Sequence, residues 1–199
     1  MDIYFATTNQ RKVQSLQRDL GKYGISVIQQ PIELVEPRSS DVRDIAQAKI
    51  LQAYPLIHKP TIVIDSGFYI DALNGFPRAY VNFSLETIGL EGILKLVEGK
   101  PRNCEFRDCL AYMDESLEKP ELFLSHVRGK IAIRVQGFMQ EHLWSELGLI
   151  FIPEGSKKTH AEMTKEEYLE WRKISRENDS PGKKLYDWIS ANKPHYLKR

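Results

Sequence analysis

Residues 61–83, TIVIDSGFYIDALNGFPRAYVNF, constrain the fold more than any other stretch of the chain. Thr61-Ile62-Val63-Ile64 is β-branched throughout and reads as a buried strand. The run is expected to end on Asp65-Ser66-Gly67, which puts an acid and a hydroxyl at the mouth of a buried strand. At that place Asp65 reads either as a turn cap or as a site acid. Phe68 to Leu73 forms a second segment that leads into Asn74-Gly75, a strong hairpin-turn dipeptide.

The remaining composition sets bounds. With 199 residues the chain can bury a sizeable core, as one large domain or two small lobes. Its 42% hydrophobic and 28% charged content is that of a water-soluble globular protein. A net charge of +1 supplies no overall field toward nucleic acid or a membrane surface, so neither is expected as a partner. Cys104 and Cys109 are too few for a disulfide framework and wrongly spaced for zinc. Five residues apart on one strand, they face opposite sides and read as reduced core thiols of a reducing compartment. The N-terminal MDIYFATTNQRK lacks the charge order and apolar length of a signal peptide, so a cytoplasmic location is expected.

In chain order, Ile3 to Thr7 reads as a first strand, with a helix cap at Thr8-Asn9 and a helix to about Lys22 carrying Val13, Leu16 and Leu20 on one stripe. Strand, polar turn and helix place Thr7, Asn9, Arg11 and Lys12 around a helix N-terminus, where free backbone N–H groups and the helix dipole favour an anion. No glycine-rich fingerprint is present, so this is neither a P-loop nor a dinucleotide motif. Ile25 to Ile28 is a second strand. The Pro31–Pro37 loop carries Glu33 and Glu36, which can hold a hard cation or stand solvated. Asp41 caps a helix over Val42 to Ile57 whose stripe is Val42, Ile45, Ala46, Lys49, Ala53 and Ile57. A lysine on an apolar stripe is costly unless it is paired or snorkels to water, so Lys49 reads as a partner for phosphate or carboxylate, or as a snorkelling side chain.

Ser84 is expected to cap a helix through Val97, closed by Gly99 and Pro101. Arg102 to Met113 reads as a strand. Leu122–Val127 and Lys130–Val135, either side of Arg128-Gly129, read as two antiparallel strands or one bulged strand. Gln136 to Ser145 is loop-like, and the apolar Leu147–Ile152 segment stops at Pro153. Thr164 and Glu167 make a capping box for a helix with Tyr168, Trp171 and Ile174 inward; Arg176 to Gly182 breaks it, and Lys183 to Ala191 forms the last helix. The tail from Asn192 to Arg199 is expected to be loose. His126, His142 and His160 show no metal spacing. Helices and strands mixed without a strict βαβ repeat predict a mixed sheet flanked by helices.

Three segments together resemble the inosine triphosphate pyrophosphatase family of the Ham1/RdgB type. They are Thr7-x-Asn9-x-x-Lys12; Asp65-Ser66-Gly67 with Asp71-Ala72-Leu73-Asn74-Gly75-x-Pro77 and Tyr80; and Phe151-x-Pro153-x-Gly155 with Thr159-x-Ala161-Glu162-Met163. The resemblance covers residues 1–167 and is densest through residue 83. It implies an α/β fold with a long mixed β-sheet flanked by helices, residues 1–199 forming one domain of two lobes with a cleft between them, and a homodimer. It also implies Mg²⁺, with Mn²⁺ as a substitute, and hydrolysis of a nucleoside triphosphate, such as the deaminated purine nucleotides of inosine or xanthosine, to monophosphate and pyrophosphate. Carried onto this chain, it assigns Thr7, Asn9, Lys12, Lys49 and Ser66 to the triphosphate, Glu36 and Asp65 to the metal, and Asp65 to activation of the attacking water.

The chain departs from the family where the base is read. The family's Phe-Gly-Trp-Asp segment is Glu146-Leu147-Gly148-Leu149 here, with Trp144 displaced by three positions. The late Ser-His-Arg motif has no counterpart; the nearest text is Ser180-Pro181-Gly182-Lys183-Lys184. A family glutamate on the first helix is Ser15, the Lys-Asn pair is Tyr168-Leu169, and the glycine after the proline is Arg78. The triphosphate half is retained and the base half rewritten, which predicts altered base preference. Two alternatives stay open: a nucleotide-binding protein without turnover, and a phosphohydrolase of another metabolite using Arg78, Lys183 or Lys184.

Overall fold

The computed structural model describes residues 1–177 and 179–197. The strand β1 (Asp2–Ala6) leads into α1 (Gln10–Gly21), and β2 (Ser26–Gln30) returns parallel to β1, pairing Ile3 with Val27 and Phe5 with Gln29. After α2 (Val42–Ile57), β3 (Thr61–Ile70) pairs parallel with the other edge of β1. The two-residue β4 (Pro77–Arg78) folds back antiparallel on β3. Two short helices, α3 (Val81–Thr87) and α4 (Gly89–Leu96), precede the long strands β5 (Asn103–Met113) and β6 (Glu121–Ile131). The strand β7 (Phe151–Pro153) runs antiparallel to β6, and α5 (Lys165–Arg176) and α6 (Pro181–Asn192) follow. The described strands form one mixed sheet in the order β2-β1-β3-β5-β6-β7, with β4 on β3. This is the mixed, helix-flanked α/β sheet that the sequence predicts.

The chain divides into two compact units, and the division falls inside β3, β5 and β6. The first comprises Met1–Asp65, Asp108–Ser125 and Glu177–Arg199. Its core joins Ile3 and Phe5 of β1, Leu16 and Leu20 of α1, Ile62 of β3, and Leu110 and Tyr112 of β5. Leu185 and Ile189 of α6 close it. The second comprises Ser66–Arg107 and His126–Arg176. Its core is built on Phe68, Phe106 and Phe151, with ring centroids 4.7 to 6.1 Å apart in tilted and edge-to-face pairs, the arrangement that ring quadrupoles favour.

Several local expectations are met for the reasons given. Asp41 accepts from the Arg43 N–H at 2.9 Å and starts α2 at Val42. Thr164 and Glu167 bond reciprocally at the start of α5. Cys104 and Cys109 are buried and unpaired, and burial pushes the Cys109 thiol up to about 12.

Others are corrected. The strand through Thr61–Ile64 does not end on Asp65 but runs unbroken to Ile70, so Asp65 lies mid-strand. Ser84 is not a cap: it lies inside α3 and donates to the Val81 carbonyl at 2.9 Å. The expected long helix is divided at Gly89, whose φ of 63° an L side chain rarely adopts. Of the two readings around Arg128-Gly129, two strands or one, the single strand holds, and β6 passes through both residues. Ile174 is 67% exposed rather than inward. The tail is not loose as far as it is described. Residues Pro194–Leu197 form a 3₁₀ turn, Tyr196 and Leu197 pack on the first core, and buried Lys193 donates to Asp114. The expected break over Arg176 to Gly182 includes Asn178, and the expected tail includes Lys198 and Arg199; these three lie outside the described residues.

The hairpin in the opening stretch shows why Gly67 is needed. Phe68 pairs with Arg78 and Tyr69 with Pro77, which brings the β4 backbone onto β3. A Cβ on residue 67 would lie 2.8 Å from the Arg78 carbonyl oxygen, and backbone cannot yield as a flexible side chain does. Arg78 itself holds a φ of 57°, a conformation costing an L residue about 1–2 kcal/mol, at the position where the resembled family places glycine. We expect Gly67→Ala to lower stability by about 1–3 kcal/mol through this overlap, read as a lower denaturant midpoint at unchanged m-value.

Candidate active site

The first unit gathers its charged side chains where β1 has given way to α1. Asp65 of β3 is only 6% exposed. Lys49, on the apolar stripe of α2, places its Nζ 2.8 Å from Glu36 Oε1 and 3.3 Å from Asp65 Oδ1. The lysine is therefore paired with two carboxylates, the first of the two alternatives its position on the stripe allowed. Glu36 sits on the loop after β2, and that loop is fastened to α2 through Gln52. The Val35 N–H donates to Gln52 Oε1 at 3.0 Å, and Gln52 Nε2 donates to the Val35 carbonyl at 2.8 Å. Glu33, the other acid of the loop, has no part in the cluster and is exposed.

The helix α1 supplies the second lysine. Asn9 caps α1 by accepting from the Lys12 N–H at 3.1 Å, and Thr7 Oγ1 accepts from the Asn9 N–H at 3.1 Å. The side-chain oxygens of Thr7 and Asn9 thus shape the helix N-terminus, whose remaining N–H groups and dipole favour an anion. Lys12 Nζ donates to the Ile64 carbonyl at 3.2 Å, one residue before Asp65. Ser66 follows Asp65 on the same strand and is half-buried.

Burial governs the proton affinities here. It pushes the Lys12 ammonium below its ordinary range, and the charge of Lys49 adds to this; Asp65, Asp108 and Glu36 offset part of it. Burial also works against charge on Lys49, but its bonds to Glu36 and Asp65 outweigh this and hold it above the ordinary range. Asp65 is raised, first by burial and then by the negative charge of Glu36, although Lys49 and Lys12 pull the other way. Both partners of the Lys49–Asp65 pair rise for a physical reason. Asp65 is the more buried carboxylate and must share Lys49 with Glu36. A buried carboxylate with raised proton affinity beside fixed cations is what a general base requires.

Glu36 and Asp65 both reach the Lys49 ammonium, which fills the point between them, so the two carboxylates are near enough for a hard cation beside that ammonium to take an oxygen from each. Among the described residues no group of three His, Cys, Asp or Glu could hold a metal, so any further ligands would come from water or from a bound phosphate.

Two residues escaped the reading of the sequence. Gln52 carried no signal, because a glutamine on an exposed helix face is unremarkable. Asp108 of β5, which attracts Lys12, did carry one: it is the acid that precedes the run of buried residues Cys109–Met113.

The positions where the sequence departs from the family lie elsewhere. Glu146–Leu149 forms a 3₁₀ turn with Leu147 and Gly148 buried among apolar groups. Trp144 is 43% exposed and stands edge-on to Phe106 at 5.2 Å. Ser180 caps α6 by accepting from the Lys183 N–H, Lys183 is paired with Asp187, and Lys184 donates to the Leu124 carbonyl. Arg78 donates to the Asn74 carbonyl at 2.9 Å. The second unit also holds a cavity of about 600 Å³ lined by Asp71, Glu105, Arg128, Lys130 and Glu154. There Glu105 accepts from Arg107 and pairs with His126. His142 and His160 pack against Tyr168, and burial lowers the proton affinity of both, His160 to about 3, so the His160 ring is neutral near pH 7.

The mixed α/β sheet brings Lys12, Lys49, Glu36 and Asp65 together beyond the end of β1. The model of the Ham1 family matches residues 3–176. Among curated relatives, a dITP/XTP pyrophosphatase of Saccharolobus solfataricus is 38% identical over 162 residues, 81% of each chain. One of Pyrococcus horikoshii is 34% identical over 194 residues, 96% of this chain and 98% of the other. Among solved structures, a HAM1 protein from Coxiella burnetii has a TM-score of 0.77 at 22% identity, covering 96% of this chain and 99% of its own. The Ham1 protein of Staphylococcus aureus has a TM-score of 0.72, covering 98% and 100%. The chain belongs to the Ham1 family.

The raised Asp65 makes a testable trade-off. Its folded-state proton affinity exceeds that of the unfolded chain, so the folded state binds the proton more tightly and ionised Asp65 weighs against folding. Stability is then gained as pH falls through the folded-state value toward the unfolded one near 3.9. We expect Asp65→Asn to be more stable than the parent at pH 7, with the two melting temperatures converging near pH 4. A variant that is less stable at pH 7 would contradict this balance.

Proposed function

We propose that this chain is a Mg²⁺-dependent nucleoside triphosphate pyrophosphatase, releasing pyrophosphate and leaving the nucleoside monophosphate. The observation that carries the reading is the Glu36–Lys49–Asp65 chain of ion pairs with Lys12 beside it. The relatives of Saccharolobus solfataricus and Pyrococcus horikoshii, both dITP/XTP pyrophosphatases by name, support the same reaction class.

In this reading the N-terminus of α1, shaped by Thr7 and Asn9, and the Lys12 ammonium bind the polyphosphate, and Ser66 lends a hydroxyl from the strand. Glu36 and Asp65 are the residues that would hold Mg²⁺, with Mn²⁺ as a substitute; when bound, the ion offsets negative charge on the polyphosphate and orients its oxygens. Lys49 keeps Asp65 ionised and oriented. Asp65 accepts a proton from the attacking water as the water oxygen bonds to phosphorus and the bridge between the α- and β-phosphates breaks. Pyrophosphate leaves with the electron pair of that bridge. Positive groups fixed before the substrate arrives need no reorganisation as charge develops.

The base is a separate matter. With no Trp-Asp in Glu146–Leu149, where the resembled family carries Phe-Gly-Trp-Asp, the chain lacks groups that in the family grip the base, and hydrogen bonds of that kind sustain discrimination of about 10⁴ or more. Broadened or shifted base preference is the reading that follows. The resemblance further implies a homodimer, which light scattering of the pure protein tests.

The decisive experiment incubates the protein with Mg²⁺ and a panel of standard, deaminated and modified triphosphates, and identifies the products. We expect pyrophosphate and monophosphate, with kcat lowered at least about 10²-fold in Asp65→Asn. Inorganic phosphate as product would select a different phosphohydrolase. Nucleotide that raises the melting temperature without any product would select a binding protein.

A further inference from the structure

Val35 and Glu36 are held by side chains three residues apart on one face of α2, Gln52 taking the first and Lys49 the second. Further along the loop, Ser39 Oγ donates to Asp44 Oδ2 at 2.9 Å. Val35, Glu36 and Ser39 advance along the loop as their partners Gln52, Lys49 and Asp44 step back along the helix, so this stretch runs antiparallel to α2. The Gln52 amide is itself fixed by the helix. Its Nε2 donates to the Ala48 carbonyl at 3.0 Å, one turn back, and to the Val35 carbonyl at 2.8 Å. Both amide N–H groups are then used, and Oε1 accepts from the Val35 N–H at 3.0 Å. The Val35 side chain is 76% exposed, so apolar burial contributes little to this hold. A neutral amide thus anchors the residue before Glu36 by bonding both polar groups of its backbone.

This anchor differs in kind from the ion pair beside it. Lys49 holds the Glu36 carboxylate itself, and a cation that takes one oxygen from Glu36 and one from Asp65 competes with that ammonium for the same groups. Gln52 holds the backbone and leaves the carboxylate free, so its hold persists when a cation binds. A ligand whose backbone is already placed loses less conformational freedom on binding, which raises affinity without adding a contact. We propose that Gln52 is a positioning residue for a divalent cation, acting through the Val35 backbone to keep the Glu36 carboxylate within reach of an ion that Asp65 also binds. The proposal rests on the reading of Glu36 and Asp65 as the cation's ligands, and its test reads ion binding rather than turnover.

Mn²⁺ is titrated against the full chain, Gln52→Met, Glu36→Gln and the double variant, and the free ion is followed by electron paramagnetic resonance. Methionine keeps the length and helix preference of glutamine and removes the amide. We expect Gln52→Met to weaken Mn²⁺ binding about tenfold, the scale seen when a group that orients a metal ligand is lost, and Glu36→Gln to weaken it at least as much. In the Glu36→Gln background, Gln52→Met should change binding by less than about twofold, because its effect passes through the carboxylate. An equal loss in both backgrounds would mean a general structural effect and overturn the proposal. Unchanged or tighter binding by Gln52→Met overturns it as well, while a loss in Glu36→Gln leaves Glu36 as a ligand. Should Glu36→Gln bind as the parent does, or the parent bind no Mn²⁺, the ligand assignment fails and the proposal falls with it. If Gln52→Met does not fold, Gln52→Ala takes its place in the cycle. Where the binding pattern is as expected but no nucleotide yields pyrophosphate, the pyrophosphatase reading fails and the positioning role stands.

Discussion

The ammonium of Lys49, held between Glu36 and Asp65, is the interaction on which the first unit depends. It joins three pieces of chain at one point: the loop after β2, the middle of α2 and the middle of β3. It also explains how β3 can carry an ionised acid through its buried centre. Removing one partner of a buried ion pair costs about 3–5 kcal/mol, because the remaining charge is left without compensation. Asp65 without Lys49 would be such a charge. The Gln52–Val35 clamp then matters as support, since it keeps Glu36 in reach although that side chain is 59% exposed.

The same interaction links stability to chemistry. Asp65 is raised in proton affinity because it is buried and shares its cation, which weighs against folding and suits a base. Lys12 is pushed the other way by burial, and depends on carboxylates around it to stay charged. A cluster of this kind is balanced by groups on β3, β5, α1, α2 and one loop, so no element can be exchanged independently. The second unit shows the opposite design. Its aromatic core is built on Phe68, Phe106 and Phe151, and Leu147 and Gly148, in one of the stretches where the sequence leaves the family pattern, are buried.

How much was legible in advance follows from the range of each interaction. The limits of α2 at Val42 and Ile57 were readable because a cap and an apolar stripe are local. So was the capping box of α5. The oddity of Lys49 was visible as a charge on an apolar face, although its partners were not. Misreadings arose where distant chain decided the matter. Asp65-Ser66-Gly67 looks like a strand end, yet β3 continues because Lys49 compensates the acid and the β4 backbone packs onto Gly67. Ser84 looks like a cap, yet the helix already starts at Val81 and ends before Gly89. The tail looks loose, yet Lys193 finds Asp114 nearly eighty positions away in sequence.

By itself, the sequence determined the mixed α/β class, the candidate acids and lysines, and the likeness to one family, because these rest on spacing and short motifs. Only the tertiary structure decided that Asp65 lies mid-strand rather than at a strand mouth, that Lys12 of α1 reaches the Ile64 carbonyl beside it, and that Gln52 fastens the Glu36 loop to α2. The physical reason is the same in each case. Burial and pairing set the charge of an acid or a lysine, and both are properties of what surrounds the residue in space.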